Sequence, residues 1–244
     1  MSPAAPTVPV EVTVRGHVPA RVRAYTVRKV TRALDRSHAS ILRAHVIMAF
    51  EPDPARAKPA RIEISLDADG VPVRARVAAD SLHEAADLVE ERLRRRLVQL
   101  EERMRTRHRW IGLSSEHEWR HGDLPRQSIP YYPRPAESRE VVQRKTVAVE
   151  PMTQDEAAYD MDLLDLDFYL FTDLATGADA VIYRRPDGGY GLAEQPVPVL
   201  TEAQARERLD VGGERFVFYV ESVGGQGRVI YRRYDGHYGL ITAE

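Results

Sequence analysis

A ten-residue motif occurs twice in the C-terminal part of the chain, at an offset of 48 residues. The first occurrence, Tyr183–Leu192, reads YRRPDGGYGL, and the second, Tyr231–Leu240, reads YRRYDGHYGL. The same offset aligns the chain without a gap back to Thr153 and Thr201. A repeat of this length predicts a duplicated small module with one supersecondary unit per copy. So small a unit buries little apolar surface alone and exposes strand edges, so each copy needs a partner.

Each copy is predicted to begin with a helix, at Thr153–Leu164 and at Thr201–Val211, with the threonine as N-cap. Aromatic strands follow, and an Asp-Gly pair in each motif predicts a hairpin turn. The two copies can pair within one chain or between chains. The candidates for this pairing are aromatic and β-branched side chains of the predicted strands: Phe168, Phe171, Val181, Tyr183, Tyr190, Phe216, Phe218, Val229, Tyr231 and Tyr238.

The chain has 244 residues, and its charge is distributed unevenly. Residues 1–110 contain 21 Arg and Lys against 14 Asp and Glu, whereas residues 111–244 contain 14 against 23. The basic first part favours a polyanionic partner, and the acidic second part argues against nucleic-acid binding there. Cysteine is absent, and neither a secretory signal nor a membrane-length apolar run is visible. A cytoplasmic location is therefore expected.

The first 110 residues predict a domain with the element order β-α-β-β-β-α. Val8–Arg15 alternates as a half-buried strand, and a helix then runs to Arg36 with Ala20, Ala24, Val27, Val30 and Leu34 on its buried face. Three strands and a second helix, capped by Ser81 and Glu84, complete the domain. The predicted fold class is α+β, with an antiparallel sheet carrying both helices on one face. Four parts are expected: residues 1–110, a Pro-rich flexible linker at 111–143, and the module copies at 144–194 and 195–244.

Both N-terminal helices are rich in arginine. One interpretation is a solvated helical surface in which arginines pair with neighbouring glutamates. The other is a surface for a phosphate backbone, because the planar guanidinium binds phosphate oxygens bidentately. Such contacts carry little sequence information, so the expected target is a structured RNA recognised by shape.

The linker contains a match to a zinc-protease motif, His117-Glu-Trp-Arg-His121. That chemistry requires both histidines on one helix and a third ligand. Gly122 and Pro125 follow at once, so the motif is interpreted as a chance match. No catalytic constellation, cofactor or metal is expected.

Several segments resemble the long-form ribosome hibernation promoting factors. Ser81–Leu97 is similar to the second helix of their N-terminal domain, and Arg28–Arg32 resembles the first. Val141–Thr146, Asp167–Asp173 and Val181–Leu192 are similar to their C-terminal module. Those members carry one such module, whereas two in tandem resemble the mycobacterial type of the family.

The resemblance implies a function and a set of site residues. In that family the N-terminal domain lies across the mRNA path of the small ribosomal subunit, and paired C-terminal modules join two ribosomes into an inactive 100S particle. The expected partners are therefore the 70S ribosome, its 30S subunit and 16S rRNA. The candidate rRNA-binding residues are Arg21, Arg23, Arg28, Lys29, Arg32, Arg92, Arg95, Arg96 and Arg103.

The expected function is thus a non-enzymatic translational silencer. A short connection between the copies makes their effective concentration about millimolar, which favours pairing within the chain and silencing of single 70S ribosomes. The alternative is a non-ribosomal RNA-binding or RNA-chaperone protein in which the tandem modules form oligomers. A small zinc hydrolase at His117 and His121 is the enzyme alternative.

Overall fold

The computed structural model describes residues 8–107, 131–193 and 196–244. The chain forms two compact units. Of the described residues, the first contains 8–107 together with the short segment Asp162–Leu166, and the second contains 131–161, 167–193 and 196–244.

The first unit has the predicted element order. Its helices and strands are β1 (Val10–Gly16), α1 (Ala20–Leu34), β2 (Ile41–Phe50), β3 (Ala60–Ala68), β4 (Val71–Ala79) and α2 (Leu82–Arg107). The predicted N-cap of α2 is present, because the Glu84 amide donates to Ser81 Oγ at 3.2 Å, but the Glu84 carboxylate accepts from the Asp80 amide and not from the Ser81 amide, so the capping box is incomplete. The Asp-Gly turn between β3 and β4 is also confirmed, since Asp69 and Gly70 both have positive φ.

The four strands of the first unit form one sheet in the order β1-β2-β3-β4. The pairs β2–β3 and β3–β4 are antiparallel, as predicted, but β1 and β2 are parallel. The difference arises because α1 connects β1 to β2, and a helical crossover returns the chain in the same direction. The sheet is therefore mixed.

The core of the first unit lies between the sheet and its two helices. Alternate residues of β3 are buried, and the α2 side chains Leu93, Leu97 and Leu100 are almost fully buried with them. On α1 the buried face consists of Val22, Thr26, Val30, Ala33 and Leu34. Val30 and Leu34 of the predicted face are buried, but Ala20 and Ala24 are exposed, so the observed face is rotated from the predicted one by about a quarter of a turn.

The second unit contains both module copies. Copy 1 comprises β6 (Pro151–Met152), α3 (Gln154–Leu163), β7 (Phe168–Asp173), β8 (Asp179–Arg184) and β9 (Tyr190–Leu192). Copy 2 comprises β10 (Val199–Leu200), α4 (Glu202–Gly212), β11 (Phe216–Glu221), β12 (Gly227–Arg232) and β13 (Tyr238–Ala243). The predicted N-cap of α4 is confirmed, because Thr201 and Gln204 form a capping box.

One further strand, β5 (Val141–Val147), precedes copy 1 in sequence but pairs with copy 2. The copy 2 sheet has the order β10-β11-β12-β13-β5, with β5 parallel to β13. The copy 1 sheet has the order β6-β7-β8-β9. The first strand of the second unit therefore crosses from the beginning of copy 1 to the edge of copy 2.

The Tyr-Gly-Leu end of each motif is explained by cross-strand packing. Gly191 pairs with Tyr183, and Gly239 pairs with Tyr231. A Cβ atom at Gly239 would lie 2.3 Å from the Tyr231 ring, and one at Gly191 would lie 2.7 Å from the Tyr183 ring. Each glycine is therefore required by a tyrosine that covers its backbone, whereas the Asp-Gly glycines are required by positive φ.

Most of the predicted linker at 111–143 lies outside the described residues. Its last part is described and runs along copy 2: the Tyr132 amide donates to the Tyr234 carbonyl at 2.9 Å, and the Tyr131 and Tyr234 rings stack at 5.9 Å. These contacts place residues 131–147 on the surface of copy 2.

Candidate functional site

Four of the candidate rRNA-binding residues lie together on α1. Arg21, Arg23, Arg28 and Arg32 are all exposed. The buried side of the helix is apolar apart from Thr26, whose hydroxyl donates to the Val22 carbonyl at 3.0 Å. The helix therefore presents a row of three guanidinium groups, those of Arg21, Arg28 and Arg32, to solvent, and Arg23 is exposed on another side of it.

Lys29, the fifth candidate on α1, is held by acidic side chains of α2. Its ammonium group lies 2.7 Å from Glu90 and 3.0 Å from Asp87. The hydrogen bonds that Lys29 donates to Glu90 and Asp87 raise its pKa above the ordinary value. The Tyr25 hydroxyl donates to Asp87 at 2.6 Å, and this bond lowers the pKa of the Asp87 carboxyl. Lys29 thus ties the two helices together in addition to supplying charge.

The candidates on α2 are engaged to different degrees. Arg96 is 2% exposed, and its guanidinium lies 3.4 Å from the buried carboxylate of Asp165. Arg92 lies 3.8 Å from the same carboxylate and also donates to the Arg76 carbonyl. Asp165 in turn accepts a hydrogen bond from the Arg76 amide at 2.6 Å. In this conformation Arg92 and Arg96 reach a phosphate only if these ion pairs open.

The remaining candidates on α2 are nearer the surface. Arg95 is half-buried and pairs with Glu91 at 2.8 Å, and hydrogen bonds from Arg94 and Arg95 lower the pKa of Glu91. Arg103 is also half-buried.

The sheet face opposite the helices carries two further exposed arginines, Arg15 and Arg74. Sequence reasoning missed them because it considered only the helices, although their outward positions on alternating strands were a usable signal.

The strands of the two copies share one apolar cluster. Its buried members are Leu170 and Val181 of copy 1 with Phe218 and Val229 of copy 2, together with Ala243. Leu170 corresponds to Phe218 and Val181 to Val229 at the 48-residue offset. Equivalent residues of the two copies therefore meet, which is the arrangement of an interface with two-fold symmetry.

Aromatic rings extend this cluster. The Phe168 and Phe216 ring centroids lie 4.9 Å apart, Phe168 and Tyr231 5.4 Å apart, and Tyr183 and Phe216 5.5 Å apart. Seven of the ten candidate pairing residues belong to this shared surface. They are Phe168, Val181, Tyr183, Phe216, Phe218, Val229 and Tyr231.

The other three candidates lie elsewhere. Tyr238 is fully buried in the core that copy 2 forms beneath α4. Phe171 is also fully buried, at the position equivalent to Tyr219 of that core. Tyr190 is half-buried, with the Arg184 guanidinium 5.8 Å from its ring centroid. Leu170, which sequence reasoning omitted, lies in the shared cluster instead, and the equivalence to Phe218 could have identified it.

The zinc-protease match at His117–His121 lies outside the described residues. Within residues 8–107, 131–193 and 196–244, no group of three or more His, Asp or Glu side chains is arranged to hold a metal ion. In the same ranges no helix combines the length and the apolar character needed to cross a bilayer.

Two family profiles match the chain. The profile described as Sigma 54 modulation protein / S30EA ribosomal protein matches residues 10–105. The profile described as Sigma 54 modulation/S30EA ribosomal protein C terminus matches twice, at residues 136–192 and 194–240. The second of these matches begins at residue 194, after the end of β9 at Leu192.

Individual proteins are also similar. A curated relative, the ribosome hibernation promotion factor of Lactococcus lactis subsp. cremoris (strain MG1363), is 32% identical over 151 residues, which cover 56% of this chain and 72% of the relative. A ribosomal subunit interface protein from Coxiella burnetii has a TM-score of 0.32 at 16% identity and covers 38% of this chain and 97% of its own. The N-terminal domain of Thermus thermophilus Protein Y has a TM-score of 0.31 at 23% identity, with coverages of 38% and 98%. By its profile matches and its curated relative, the chain belongs to the long-form ribosome hibernation promotion factor family.

Proposed function

We propose that this protein is a cytoplasmic hibernation factor that binds the 30S subunit in the decoding region and mRNA channel and silences translation without catalysis. The observation that carries the proposal is the row of exposed arginines on α1, in the domain that matches the family's N-terminal profile. Occupancy of the mRNA channel excludes mRNA and tRNA sterically, so no reactive group is needed.

The contact with 16S rRNA is made through phosphates. Arg21, Arg28 and Arg32 follow one another at steps of seven and four residues along one side of α1, and Arg23 is exposed on another side of the same helix. A guanidinium donates two parallel hydrogen bonds to a phosphate, which fixes orientation as well as adding affinity. Lys29, Arg95 and Arg103 supply further half-buried cations of the same domain, whereas Arg92 and Arg96 reach a phosphate only after leaving Asp165.

The tandem modules pair with each other within one chain, so the protein acts on single 70S ribosomes. Three features support this. Equivalent residues of the two copies contact one another across the shared cluster. Only the short segment Ala193–Leu200 connects the copies in sequence, which gives an effective concentration of about millimolar. A surface already occupied by the second copy is not free to join a second ribosome.

Co-sedimentation together with cell-free translation tests this function. Full-length protein is added at increasing ratios to vacant 70S ribosomes, and the ribosomes are pelleted through a sucrose cushion. Saturation at one protein per ribosome, with a parallel loss of translation of a reporter mRNA, is the expected result. Protein that stays in the supernatant but binds isolated structured RNA favours the non-ribosomal RNA-binding alternative.

A further inference from the structure

The two module copies share a sequence motif but not a strand count. The copy 2 sheet has five strands because β5 pairs with the outer side of β13. In the described part of the chain, no strand pairs with the outer side of β9, the equivalent strand of copy 1. At the 48-residue offset the counterpart of β5 is residues 189–195, which contain β9 itself. One segment cannot serve as both the last strand of copy 1 and the strand added to it.

The contacts of residues 131–147 show what such an edge accepts. The Tyr238 amide of β13 donates to the Glu140 carbonyl at 2.9 Å, and parallel pairing continues to Ala243 and Val147. The Gln143 carboxamide oxygen accepts from Arg233 and lies 3.5 Å from the Tyr231 hydroxyl. Copy 2 thus binds an extended segment through a strand edge, a tyrosine and an arginine.

The equivalent residues of copy 1 line one side of a cavity of about 410 Å³, and residues 213–218 of copy 2 with Arg208 line the other side. Tyr183 and Arg185, the counterparts of the two residues that contact Gln143, are both in its wall. Pro186 and Gly188 are also in the wall, and their counterparts Tyr234 and Gly236 pack against Tyr132 and Arg134. The cavity therefore lies where the pseudo-symmetry of the tandem would place a second extended segment.

The backbone of β9 is arranged to receive such a segment. The Ala193 amide donates inward to the Val181 carbonyl at 2.8 Å. Successive amides of a strand point to opposite sides, so the Leu192 amide points to the outer edge. Leu192 is 40% exposed, so this edge is accessible.

We propose that the outer edge of β9 and the adjoining cavity form an acceptor site for an extended polypeptide segment of a partner protein. The segment adds as a fifth, parallel strand to the copy 1 sheet, as β5 does to the copy 2 sheet. This interaction is additional to rRNA binding and to pairing of the copies.

The lining defines the chemistry of the partner segment. In the cavity wall Arg208 pairs with Glu214 and Arg215 with Asp167, and Arg185 pairs with Asp187 beside the cavity. Arg233, the counterpart of Arg185, keeps its ion pair with Asp235 while it donates to Gln143, so Arg185 favours an acidic or carboxamide side chain at the equivalent position. The apolar environment of Val141 and Val147 in copy 2 favours β-branched residues on either side of it.

A second copy of this chain does not satisfy the site. Each chain has two acceptor edges and one β5 segment, so an assembly made of this chain alone leaves one edge per chain without a strand. Exchange of β5 between chains fills the β9 edge only by vacating a β13 edge. The β5 segments of this chain therefore cannot fill both edges, which favours a segment of a different protein as the occupant.

A peptide with the sequence of residues 131–147, labelled with a fluorophore, is the probe for this site. Binding to full-length protein is measured by fluorescence anisotropy, and backbone amide hydrogen exchange is measured with and without peptide. The expected result is saturable 1:1 binding with slower exchange at Gly191–Ala193 and unchanged exchange in β5 and β13.

Two matched pairs localise the binding. Leu192→Ala retains the outward amide, whereas Leu192→Pro removes it and is tolerated at a sheet edge, so only the proline variant is expected to bind at least tenfold more weakly. On the peptide side, replacing the glutamine equivalent to Gln143 by leucine is expected to weaken binding severalfold and cannot affect folding of the protein.

Three outcomes overturn the proposal. They are the absence of saturable binding, faster exchange in β5 because the peptide replaces it on β13, and equal affinities for both Leu192 variants. If Leu192→Pro also loses protection of the β8 amides, the glutamine-to-leucine peptide decides, and an unchanged affinity for it contradicts the site.

Discussion

The side chains of Phe168 and Phe216 lie at equivalent positions of the two module copies and contact each other, with ring centroids 4.9 Å apart. Contact between equivalent residues occurs in a two-fold interface at or near the axis. A homodimer of a single module satisfies this symmetry with two chains, and here one chain supplies both sides. The shared cluster around these rings is what makes pairing within the chain the simplest assembly.

Truncation of one ring of this pair is expected to destabilise both copies together. Phe216→Ala removes contacts with Phe168 and Tyr183, and because Phe216 is only half-buried we expect a loss of about 1–3 kcal/mol in the free energy of unfolding. Chemical denaturation followed by circular dichroism measures this loss. Leu174→Ala, at an exposed residue of copy 1, is the control, and an equal effect of both changes would contradict the shared interface.

The glycine of the Tyr-Gly-Leu motif gives a second prediction. Gly239→Ala forces the Tyr231 ring to move, since the new Cβ would lie 2.3 Å from it, and we expect a cost of about 1–3 kcal/mol. Gly212→Ala is the matched control, because the nearest atom to its Cβ would be 3.6 Å away. Thermal unfolding compares the two variants, and equal melting temperatures would show that the ring is not fixed over the glycine.

Arg96 and Arg95 are expected to behave differently although they are adjacent in sequence. Arg96→Ala leaves the buried Asp165 carboxylate with a weaker set of partners, and we expect about 3 kcal/mol or more of lost stability. Arg95→Ala removes only a half-exposed ion pair with Glu91, which contributes less than about 1 kcal/mol. Denaturation of both variants checks this ranking, and a reversed order would show that Arg96 is not a structural residue.

The exposed arginines of α1 predict a specific salt dependence of ribosome binding. Arg23→Ala and Arg28→Ala should each lower 70S affinity and reduce the slope of log affinity against log salt by about one, with little change in stability. Lys145→Ala, at an exposed residue of β5, removes the same charge in the second unit and is the control. Unchanged slopes for both α1 variants would show that this helix does not contact rRNA.

The fold was predictable wherever a local pattern had one interpretation. The order of elements, the N-cap at Ser81 and the Asp-Gly turn at Gly70 were predicted and confirmed, because each depends on residues close in sequence. The face of α1 was rotated because it was predicted from apolar side chains alone, which left out Thr26. Its hydroxyl is satisfied by the Val22 carbonyl, so it can be buried.

The features of the fold that depend on contacts between residues distant in sequence were harder to predict. Alternation along β7 places Phe168 and Leu170 on one face and Phe171 on the other, so the choice of Phe171 as a pairing residue followed side-chain type and not strand geometry. The pairing of β5 with copy 2 and the ion pair of Arg96 with Asp165 join residues about 70 to 100 positions apart, and no local signal predicts them.

A sucrose gradient of vacant 70S ribosomes with near-stoichiometric full-length protein tests the central claim most directly. Each fraction is analysed for the protein by immunoblotting at moderate salt. The predicted result is co-migration with the 70S peak without a 100S shoulder, because the copies pair within the chain. A dominant 100S peak would contradict pairing within the chain, and protein left at the top of the gradient would contradict ribosome binding itself.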